Sequence, residues 1–364
     1  MAKKVRIGFV GTGGIAHAHM RPYMTFDDVE IVGACDLVPG KAREFLDKYG
    51  LTNAPAFESV EELIKNVEMD GASVCSYNTQ HAACAIPLLE AGIHVLCEKP
   101  MSFTLQEGVD MVRASRKSGK ILTIGFQPRY DFMRKKVDSI IESGALGKVY
   151  YVQSGGGRRR GIPGSTFVDK EKAGYGCLGD IGCYSIDEAL HAIKYPKPLT
   201  VSAIATNYFG KNPKYWKGWE TFDVDDFSAA LVRMEGDVTY VFKQSWAMHA
   251  DSLGDNLWLG TEGAIKVKCG FDELNHPSNV MYYTDVNGQH IDSYVLPTIP
   301  FDAYEGDKPG DMWVGKMRGF VDAVLTNGPA PVPCEEILHN QAICDGIYRS
   351  SKLGKEVEID IPQI

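Results

Sequence analysis

The sequence predicts an α/β protein with an N-terminal, doubly wound parallel sheet and a C-terminal α+β domain built on a large, open, mostly antiparallel sheet. Up to about residue 125, short apolar runs alternate with amphipathic helical stretches. Beyond residue 126, long alternating runs are grouped together and few helices separate them. Alternation of strands with helices is typical of a parallel sheet covered on both faces, whereas grouped strands favour an antiparallel sheet.

Five apolar runs predict the strands of the parallel sheet. They cover residues 5–10, 29–36, 72–76, 93–97 and 121–124. Helices are predicted between them, for example at 41–49, 80–91 and 105–118. Ligands of such a sheet bind at the carboxyl ends of its strands. The polar residues that follow three of these runs are therefore candidates for a binding site.

The second half of the chain predicts a different architecture. Helices are expected at about 130–143, 179–194, 313–325 and 335–353, and strands at 149–154, 199–208, 227–234, 238–246 and 264–268. Residues 235–237 have the composition of a hairpin turn. We therefore divide the chain into a nucleotide-binding domain, residues 1–126, and a second domain, residues 127–364.

A G-x-G-x-x-A turn follows the first predicted strand and opens the first helix. Gly11 allows the tight turn, Gly13 lets phosphates approach the backbone, and Ala16 replaces the third glycine of the dinucleotide fingerprint. Backbone N–H groups and the positive end of the helix dipole then face a pyrophosphate. The residues predicted to contact the cofactor here are Gly11, Thr12, Gly13, Gly14 and Ile15.

Asp36 ends the second predicted strand, at the position where an acid hydrogen-bonds the adenosine ribose. Its charge would repel a 2′-phosphate, and Leu37 and Val38 after it carry no cation. Lys41 and Arg43 lie close by in the sequence and could pair with a 2′-phosphate, so NADP remains an alternative. The sequence predicts a Rossmann domain that binds NAD, with NADP as the weaker alternative.

Composition restricts the class of partner. The chain has 364 residues and a formal net charge of −9, which argues against nucleic acid or an anionic membrane as the main partner. Nine cysteines occur without C-x-x-C pairs or metal-ligand spacing, so we expect free thiols and no metal site. The first strand begins near the N-terminus and no apolar run is of membrane-spanning length, so we expect a cytoplasmic protein.

The predicted helix that starts near Gly179 carries a polar stripe. At about 100° per residue, four of its side chains fall within one narrow arc. They are Asp180, Tyr184, Asp187 and His191. Either this stripe faces water and Asp180 caps the helix, or it lines a site. Asp180 and Tyr184 lie about 6 Å apart along the axis and can reach one small substrate, whereas His191 cannot.

Lys99 follows the fourth predicted strand and precedes Pro100. A lysine in such a loop is usually solvated. At the carboxyl edge of a nucleotide-binding sheet, its ammonium group can instead hydrogen-bond a substrate hydroxyl and favour an alkoxide or tyrosinate. Glu98 is then placed to orient the nicotinamide ribose.

Four segments together resemble the Gfo/Idh/MocA family of oxidoreductases. They are residues 11–16 (GTGGIA), 75–81 (CSYNTQH), 98–100 (EKP) and 179–187 (GDIGCYSID). The resemblance extends over nearly the whole chain and implies that residues 127–364 form a substrate-binding and oligomerisation domain. Tyr77 stands where the family usually has proline, and Tyr184 stands where many members carry histidine.

The resemblance also implies roles for individual residues. Lys99, Asp180 and Tyr184 are implied to be catalytic, with either Asp180 or Tyr184 as the proton acceptor. The residues implied to line the nicotinamide are Asn78, His81, Glu98 and Lys99. The candidate substrate-binding residues are Lys99, Gln127, Arg129, Arg158, Asp180 and Tyr184. For Gln127, Arg129 and the arginine run that starts at Arg158, ordinary surface placement remains an alternative.

The implied activity is NAD-dependent oxidation, or the reverse reduction, of a secondary hydroxyl on a sugar, a glycoside (at the 3-position, for example) or a cyclitol. The same resemblance includes redox-neutral glycosidases that oxidise a sugar carbon transiently, and NAD-binding regulators without activity. The presence of both Lys99 and Asp180 ranks the regulator last. The family also implies a homo-oligomer, either a dimer or a tetramer.

Overall fold

The computed structural model describes residues 4–268, 280–295 and 311–364. The chain divides into two compact units. The first consists of residues 1–127, 311–341 and 362–364, and the second of residues 128–310 and 342–361. Each unit is built on one sheet.

The first unit contains a six-stranded parallel sheet. Its strands are β1 (Val5–Val10), β2 (Val29–Cys35), β3 (Ala56–Phe57), β4 (Gly71–Val74), β5 (His94–Cys97) and β6 (Leu122–Ile124). They are arranged in the order β3-β2-β1-β4-β5-β6, which is the doubly wound order of dinucleotide-binding domains. The predicted fold class is confirmed, and the five predicted strands all form. The two-residue β3 is too short to produce a periodic signal.

Five helices connect these strands. They are α1 (Gly14–Tyr23), α2 (Lys41–Lys48), α3 (Val60–Asn66), α4 (His81–Glu90) and α5 (Leu105–Ser118). Local sequence explains the ends of α5: Thr104 and Glu107 form a reciprocal capping box, and Gly119 adopts the left-handed conformation that terminates the helix. Because a helix carries the chain back after each strand, the strands all run parallel, and their carboxyl ends lie at one edge of the sheet.

The second unit contains a nine-stranded sheet. Its strands are β7 (Val149–Gly157), β8 (Pro198–Thr206), β9 (Phe227–Met234), β10 (Val238–Ser245), β11 (Asn256–Gly260), β12 (Gly263–Val267), β13 (Val280–Val286), β14 (Gln289–Tyr294) and β15 (Val357–Glu358). The order is β14-β13-β12-β11-β7-β10-β9-β8-β15. Every pair is antiparallel except β7 with β10. The predicted open, mostly antiparallel sheet and the hairpin at 235–237 are confirmed.

The remaining helices are α6 (Phe132–Glu142), α7 (Lys170–Ala173), α8 (Cys183–His191), α9 (Met312–Thr326) and α10 (Cys334–Leu353). A five-residue π-helix, Leu178–Gly182, directly precedes α8, where the sequence predicts one continuous helix. Helix α8 packs against β7, and the buried Trp258 indole donates a hydrogen bond to the Ala189 carbonyl at 3.0 Å. Within the described ranges, no helix is long and apolar enough to cross a membrane.

Helix α9 belongs to the first unit, although the sequence-based division at residue 126 groups it with the second. It packs against α1, and Met317, Phe320 and Val321 join the core formed by Phe9 and Met20. An amphipathic helix buries its apolar face but does not specify which sheet it covers. The assignment of separate roles to residues 1–126 and 127–364 stays a prediction.

Replacing Phe320 with alanine tests the place of α9 in this core. The ring is fully buried, and a Cβ added at Gly71 would lie only 3.0 Å from it. We expect Phe320→Ala to lower the free energy of unfolding by ~3–5 kcal/mol, measured by urea unfolding of the full chain. Val314→Ala on the same helix removes a side chain that is 38% exposed and should change it by less than about 0.5 kcal/mol. Equal effects of the two substitutions would contradict the assignment.

Candidate functional site

The glycine turn after β1 has the geometry that a pyrophosphate requires. Gly11 has a φ of +80°, and a Cβ there would lie 2.7 Å from the Cys75 backbone, so only glycine fits. A Cβ on Gly13 or Gly14 would meet nothing within 4 Å. Helix α1 begins at Gly14 with no side-chain cap and no acidic residue in its first turn. Its N–H groups and dipole therefore suit an anionic ligand.

Asp36 lies beside this turn. Its Oδ2 accepts hydrogen bonds from the Thr12 main-chain N–H and hydroxyl, both at 2.8 Å, and its Oδ1 accepts one from the Val38 N–H at 3.0 Å. Burial raises the pKa of Asp36, but these hydrogen bonds and the nearby Lys41 outweigh burial and hold the pKa below its usual value. Asp36 is thus an anionic acceptor of the kind that a ribose diol requires.

Arg43 does not extend towards the ribose position as a free cation. Its guanidinium group donates to the carbonyls of Ala54 and Leu51, at 2.6 and 2.8 Å, and pairs with Asp47. Lys41 is the nearer cation, 3.3 Å from the Asp36 carboxylate, and this pairing partly offsets the charge. The charged groups around the ribose position therefore fit NAD, as the sequence predicts.

Lys99 leaves the same edge of the sheet as the glycine turn, because β1 and β5 run parallel. Its backbone is held on both sides. The Lys99 N–H donates to Glu98 Oε2 at 3.2 Å, and the carbonyl of Pro100 accepts a hydrogen bond from His81 Nδ1 at 2.7 Å. The bond between Lys99 and Pro100 is cis. Hydrogen bonds with the preceding residue, Glu98, and with His81 therefore fix the backbone around the candidate catalytic lysine.

His81 and Asn78 reach this edge by way of the turn after β4. Asn78 begins a single turn of 3₁₀-helix, Asn78–Gln80, and His81 begins α4. Burial lowers the pKa of His81, so the ring is neutral and its Nδ1 carries the proton that Pro100 accepts. The predicted contacts of Asn78 and His81 with a nicotinamide stay predictions.

Glu98 does not face solvent as a ribose ligand would. Its side chain is 4% exposed, and Oε1 accepts hydrogen bonds from His19 Nε2 at 2.7 Å and from Lys316 Nζ at 2.5 Å. Sequence analysis missed both partners. The predicted contact of Glu98 with cofactor is untested, and the geometry favours a role in holding Lys99.

Asp180 lies in the π-helix of the second unit. The indole of the fully buried Trp246, at the end of β10, donates to Asp180 Oδ2 at 3.0 Å. A Cβ on Gly182 would lie 2.9 Å from the Phe242 ring, so the segment packs closely on the sheet only with glycine there. Such π-helical turns recur at functional sites. Tyr184 follows as the second residue of α8 and is half-buried.

Asp225 fixes the turn that leads into Asp180. Its carboxylate accepts hydrogen bonds from the N–H groups of Gly176 and Leu178, at 2.7 and 2.9 Å, and from the Ser228 hydroxyl at 3.0 Å. Sequence analysis missed this residue because an acid shortly before a strand carries no local signal. Trp246 was missed because an apolar residue at the end of a strand is typical of a core and does not indicate a hydrogen bond to an acid.

The polar stripe on the predicted helix separates into different environments. The Asp187 side chain is 3% exposed; its carboxylate accepts from Arg129 Nη2 at 2.7 Å and also binds the Tyr195 hydroxyl. His191 pairs with Asp138 at 3.1 Å. The interpretation of the stripe as a solvated face is therefore wrong for Asp187, and Asp180 is not the cap of α8.

The other candidate substrate residues differ in availability. The Arg129 guanidinium is 6% exposed and bound to Asp187, which favours a structural role. Gln127 is half-buried after β6, and Arg158 is exposed after β7. The guanidinium of Arg160, in the same run, stacks on the Tyr215 ring at 4.9 Å. The substrate contacts of Gln127, Arg129 and Arg158 stay predictions. Within the described ranges, no cluster of three metal-ligating side chains occurs.

Two family profiles match the chain. One is described as an oxidoreductase family with an NAD-binding Rossmann fold and matches residues 5–126. The other is the GFO/IDH/MocA C-terminal domain and matches residues 135–266. Together they cover more than half of the sequence, and they agree with the two units seen in the structure.

Individual proteins are similar over different lengths. D-glucoside 3-dehydrogenase of Escherichia coli (strain K12) is 27% identical over 98% of this chain and 97% of that enzyme. Inositol 2-dehydrogenase of Salmonella typhimurium is 34% identical over 40% of this chain and 43% of that enzyme. The solved structure of a levoglucosan dehydrogenase in complex with NADH has a TM-score of 0.80 and 20% identity, with full coverage of both chains.

Adding one methyl group at Gly13 separates cofactor binding from folding. The space is open, so Gly13→Ala should leave the melting temperature of the cofactor-free protein nearly unchanged while the NAD Kd rises at least about tenfold, because the methyl group occupies the path of the pyrophosphate. Calorimetry of NAD binding and of unfolding checks both. Gly11→Ala is the contrast and should destabilise the fold itself. Unchanged NAD affinity in Gly13→Ala would refute the assignment of the turn.

Proposed function

We propose that this chain, which belongs to the GFO/IDH/MocA family of oxidoreductases, oxidises a secondary hydroxyl group of a sugar, glycoside or cyclitol with NAD. The position of Lys99 carries the proposal. It leaves the same edge of the parallel sheet as the glycine turn and is held there by Glu98. The similarity to a D-glucoside 3-dehydrogenase over almost its full length supports this substrate class.

The overall reaction balances as a two-electron oxidation. The carbinol C–H bond breaks and its hydrogen leaves as a hydride with both bonding electrons, the hydroxyl proton is lost, and a ketone forms. NAD, when bound, supplies the hydride acceptor. The glycine turn and Asp36 hold the cofactor, so the remaining tasks for the protein are to align the hydroxyl group and to accept its proton.

Lys99 donates a hydrogen bond to the substrate oxygen and stabilises the negative charge that develops there. An ammonium group held in place for this purpose requires no reorganisation during the reaction. Tyr184 or Asp180 takes the proton. Asp180 has one oxygen bound to Trp246, which fixes the orientation of the carboxylate.

The protein is also proposed to work as a homo-oligomer in a reducing cytoplasm. Ile204 and Leu231, on the adjacent strands β8 and β9, are 52% and 39% exposed, which suits a surface that another subunit covers. The eight cysteines in the described part of the chain are free thiols, and seven of them are buried.

Removing the lysine tests the mechanism. We expect Lys99→Ala to lower kcat by about 10²-fold or more, because the charge on the substrate oxygen loses its partner, while the NAD Kd stays within about threefold. Rates come from NADH formation over a panel of free hexoses, inositols and alkyl or aryl glucosides. Lys65→Ala, an exposed lysine on α3, is the matched control. A Lys99→Ala enzyme with near-normal turnover would overturn the assignment.

Two further variants identify the proton acceptor. Tyr184→Phe removes the phenol and Asp180→Asn removes the carboxylate, and each keeps the shape of its side chain. The variant that loses the base should lose the acidic limb of the pH–kcat profile, whereas the other should have a lower kcat with the limb retained.

Glycoside cleavage without accumulation of NADH in the unmodified protein would replace the dehydrogenase with the redox-neutral alternative.

A further inference from the structure

A buried charged cluster lies directly behind Lys99 in the first unit. It consists of Glu98, Lys316 and His19, whose side chains are 4%, 1% and 0% exposed, and is called the Glu98 cluster here. The three residues come from the end of β5, from α9 and from α1. No feature of the mechanism above uses Lys316 or His19.

The two oxygens of the Glu98 carboxylate accept hydrogen bonds from different groups. Oε1 accepts from Lys316 Nζ at 2.5 Å and from His19 Nε2 at 2.7 Å. Oε2 accepts from the main-chain N–H of Lys99 at 3.2 Å. The Glu98 carboxylate therefore links the Lys316 ammonium group to the backbone of the candidate catalytic lysine.

The surroundings leave this arrangement little freedom. A Cβ on Gly125 would lie 2.7 Å from Glu98 Oε1, so the chain after β6 closes over the carboxylate. Lys316 Nζ lies 4.3 Å from the centre of the Trp313 ring. His19 Nδ1 lies 3.3 Å from the hydroxyl of Ser73, on β4 of the same sheet.

We propose that Lys316 is a positioning residue for the reaction: its ammonium group keeps Glu98 ionised, and the ionised Glu98 holds the Lys99 backbone so that the Lys99 side chain meets the substrate hydroxyl. The inference rests on the proposed function. It assigns a role to a residue more than two hundred positions away from Lys99 in the sequence.

The countercharge comes from Lys316 and not from histidine. Burial lowers the pKa of His19 to about 4, so the imidazole is neutral and its Nε2–H donates to Glu98 while Nδ1 accepts from Ser73. A buried carboxylate without a cation is costly and takes up a proton instead. The other titratable groups facing the cluster are Cys75, Cys97, His81 and Lys99.

Loss of Lys316 therefore changes the hydrogen-bond chemistry of Glu98. A protonated carboxyl group faces two N–H donors, His19 Nε2–H and the Lys99 main chain, and has one acceptor oxygen fewer to offer them. The hold on Lys99 weakens at neutral pH. The hydrogen bond from the Lys99 main chain to Glu98 forms again when a higher pH ionises Glu98. The loss of kcat should therefore be largest at low pH and smaller at high pH.

The experiment compares Lys316→Met with Arg318→Met in the full-length protein. Arg318 lies on the same helix and pairs with Asp28, away from Lys99, so it controls for loss of an ion pair from α9. We expect Lys316→Met to lower kcat about tenfold at pH 7 with the NAD Kd within about threefold. It should also gain a second rise in kcat above the acidic limb, in the pH range where the unmodified enzyme and Arg318→Met are flat.

A second readout does not depend on catalysis. Hydrogen exchange of a peptide containing the Lys99 amide, in protein without cofactor, should be faster in Lys316→Met at pH 7 than in Arg318→Met, beyond what the change in global stability explains. Lys316→Arg, which keeps the charge, should restore the flat pH profile at least in part. If Lys316→Met does not fold, the double variant Lys316→Met/Glu98→Gln leaves neither charge unpaired. Because its residue 98 cannot ionise, we expect a lowered kcat and faster exchange of the Lys99 amide without the rise of kcat with pH, and wild-type values for both would overturn the proposal.

A purely structural Lys316 gives a different result. Lys316→Met would then melt at a lower temperature but keep the kcat, the pH profile and the exchange of the Lys99 amide, and the proposal would be overturned. Failure of the proposed function is separable: the unmodified protein would reduce no NAD with any substrate of the panel, while the exchange measurement would still report on the Glu98 cluster.

Discussion

An ionised carboxylate inside the first unit, that of Glu98, is the constraint on which the candidate chemistry depends. It is bound at the carboxyl edge of the parallel sheet by groups from α1 and α9 and by the backbone of Lys99. A buried pair of this kind adds little net stability, since desolvation offsets the attraction, but it permits few alternative arrangements. In the proposed mechanism its role is geometric, because a catalytic ammonium group must be held within about 0.5 Å of the productive position.

In the second unit, too, a buried acid binds the main chain next to a candidate site residue. Asp225 is buried and accepts hydrogen bonds from the main chain of the turn at residues 176–178, which leads into Asp180. Trp246, from the end of β10, then binds the Asp180 carboxylate itself. In each unit a buried acid binds the main chain beside a residue that is proposed to act on substrate: Glu98 binds the N–H of Lys99 itself, and Asp225 binds the turn before Asp180. In the proposed mechanism, the interior of each unit fixes the position of the reactive residue beside it.

Much of this was predictable from local sequence. The alternation of apolar runs with helices predicted the parallel sheet, and the glycine turn with Asp36 predicted NAD. Both signals are short-range, because they follow from a strand, its turn and the helix after it. The place of α9 was not predictable, since periodicity shows that a helix buries one face but not which sheet that face covers.

The residues that hold the site were missed for a related reason. Lys316 contacts Glu98 across more than two hundred positions, and no local pattern reports such a pairing. One signal was nevertheless present: Trp313, Lys316 and Phe320 lie at helical spacing on one face of α9, and a lysine on an apolar face calls for a buried partner. The sequence left open whether the polar stripe faces water or lines a site, and the structure excludes the first alternative for Asp187, whose carboxylate binds Arg129 and Tyr195 in the interior.

The charge state of Glu98 tests this account most directly. The Lys316 ammonium group and the His19 hydrogen bond outweigh the effect of burial and hold the pKa of Glu98 well below its ordinary value. Carbon-13 NMR of glutamate-labelled protein, with Glu98→Gln to assign the signal, follows this carboxyl group through a pH titration. We predict that it stays ionised below pH ~4.3, where exposed glutamates are half protonated. A Glu98 signal that titrates at or above that pH would contradict the account.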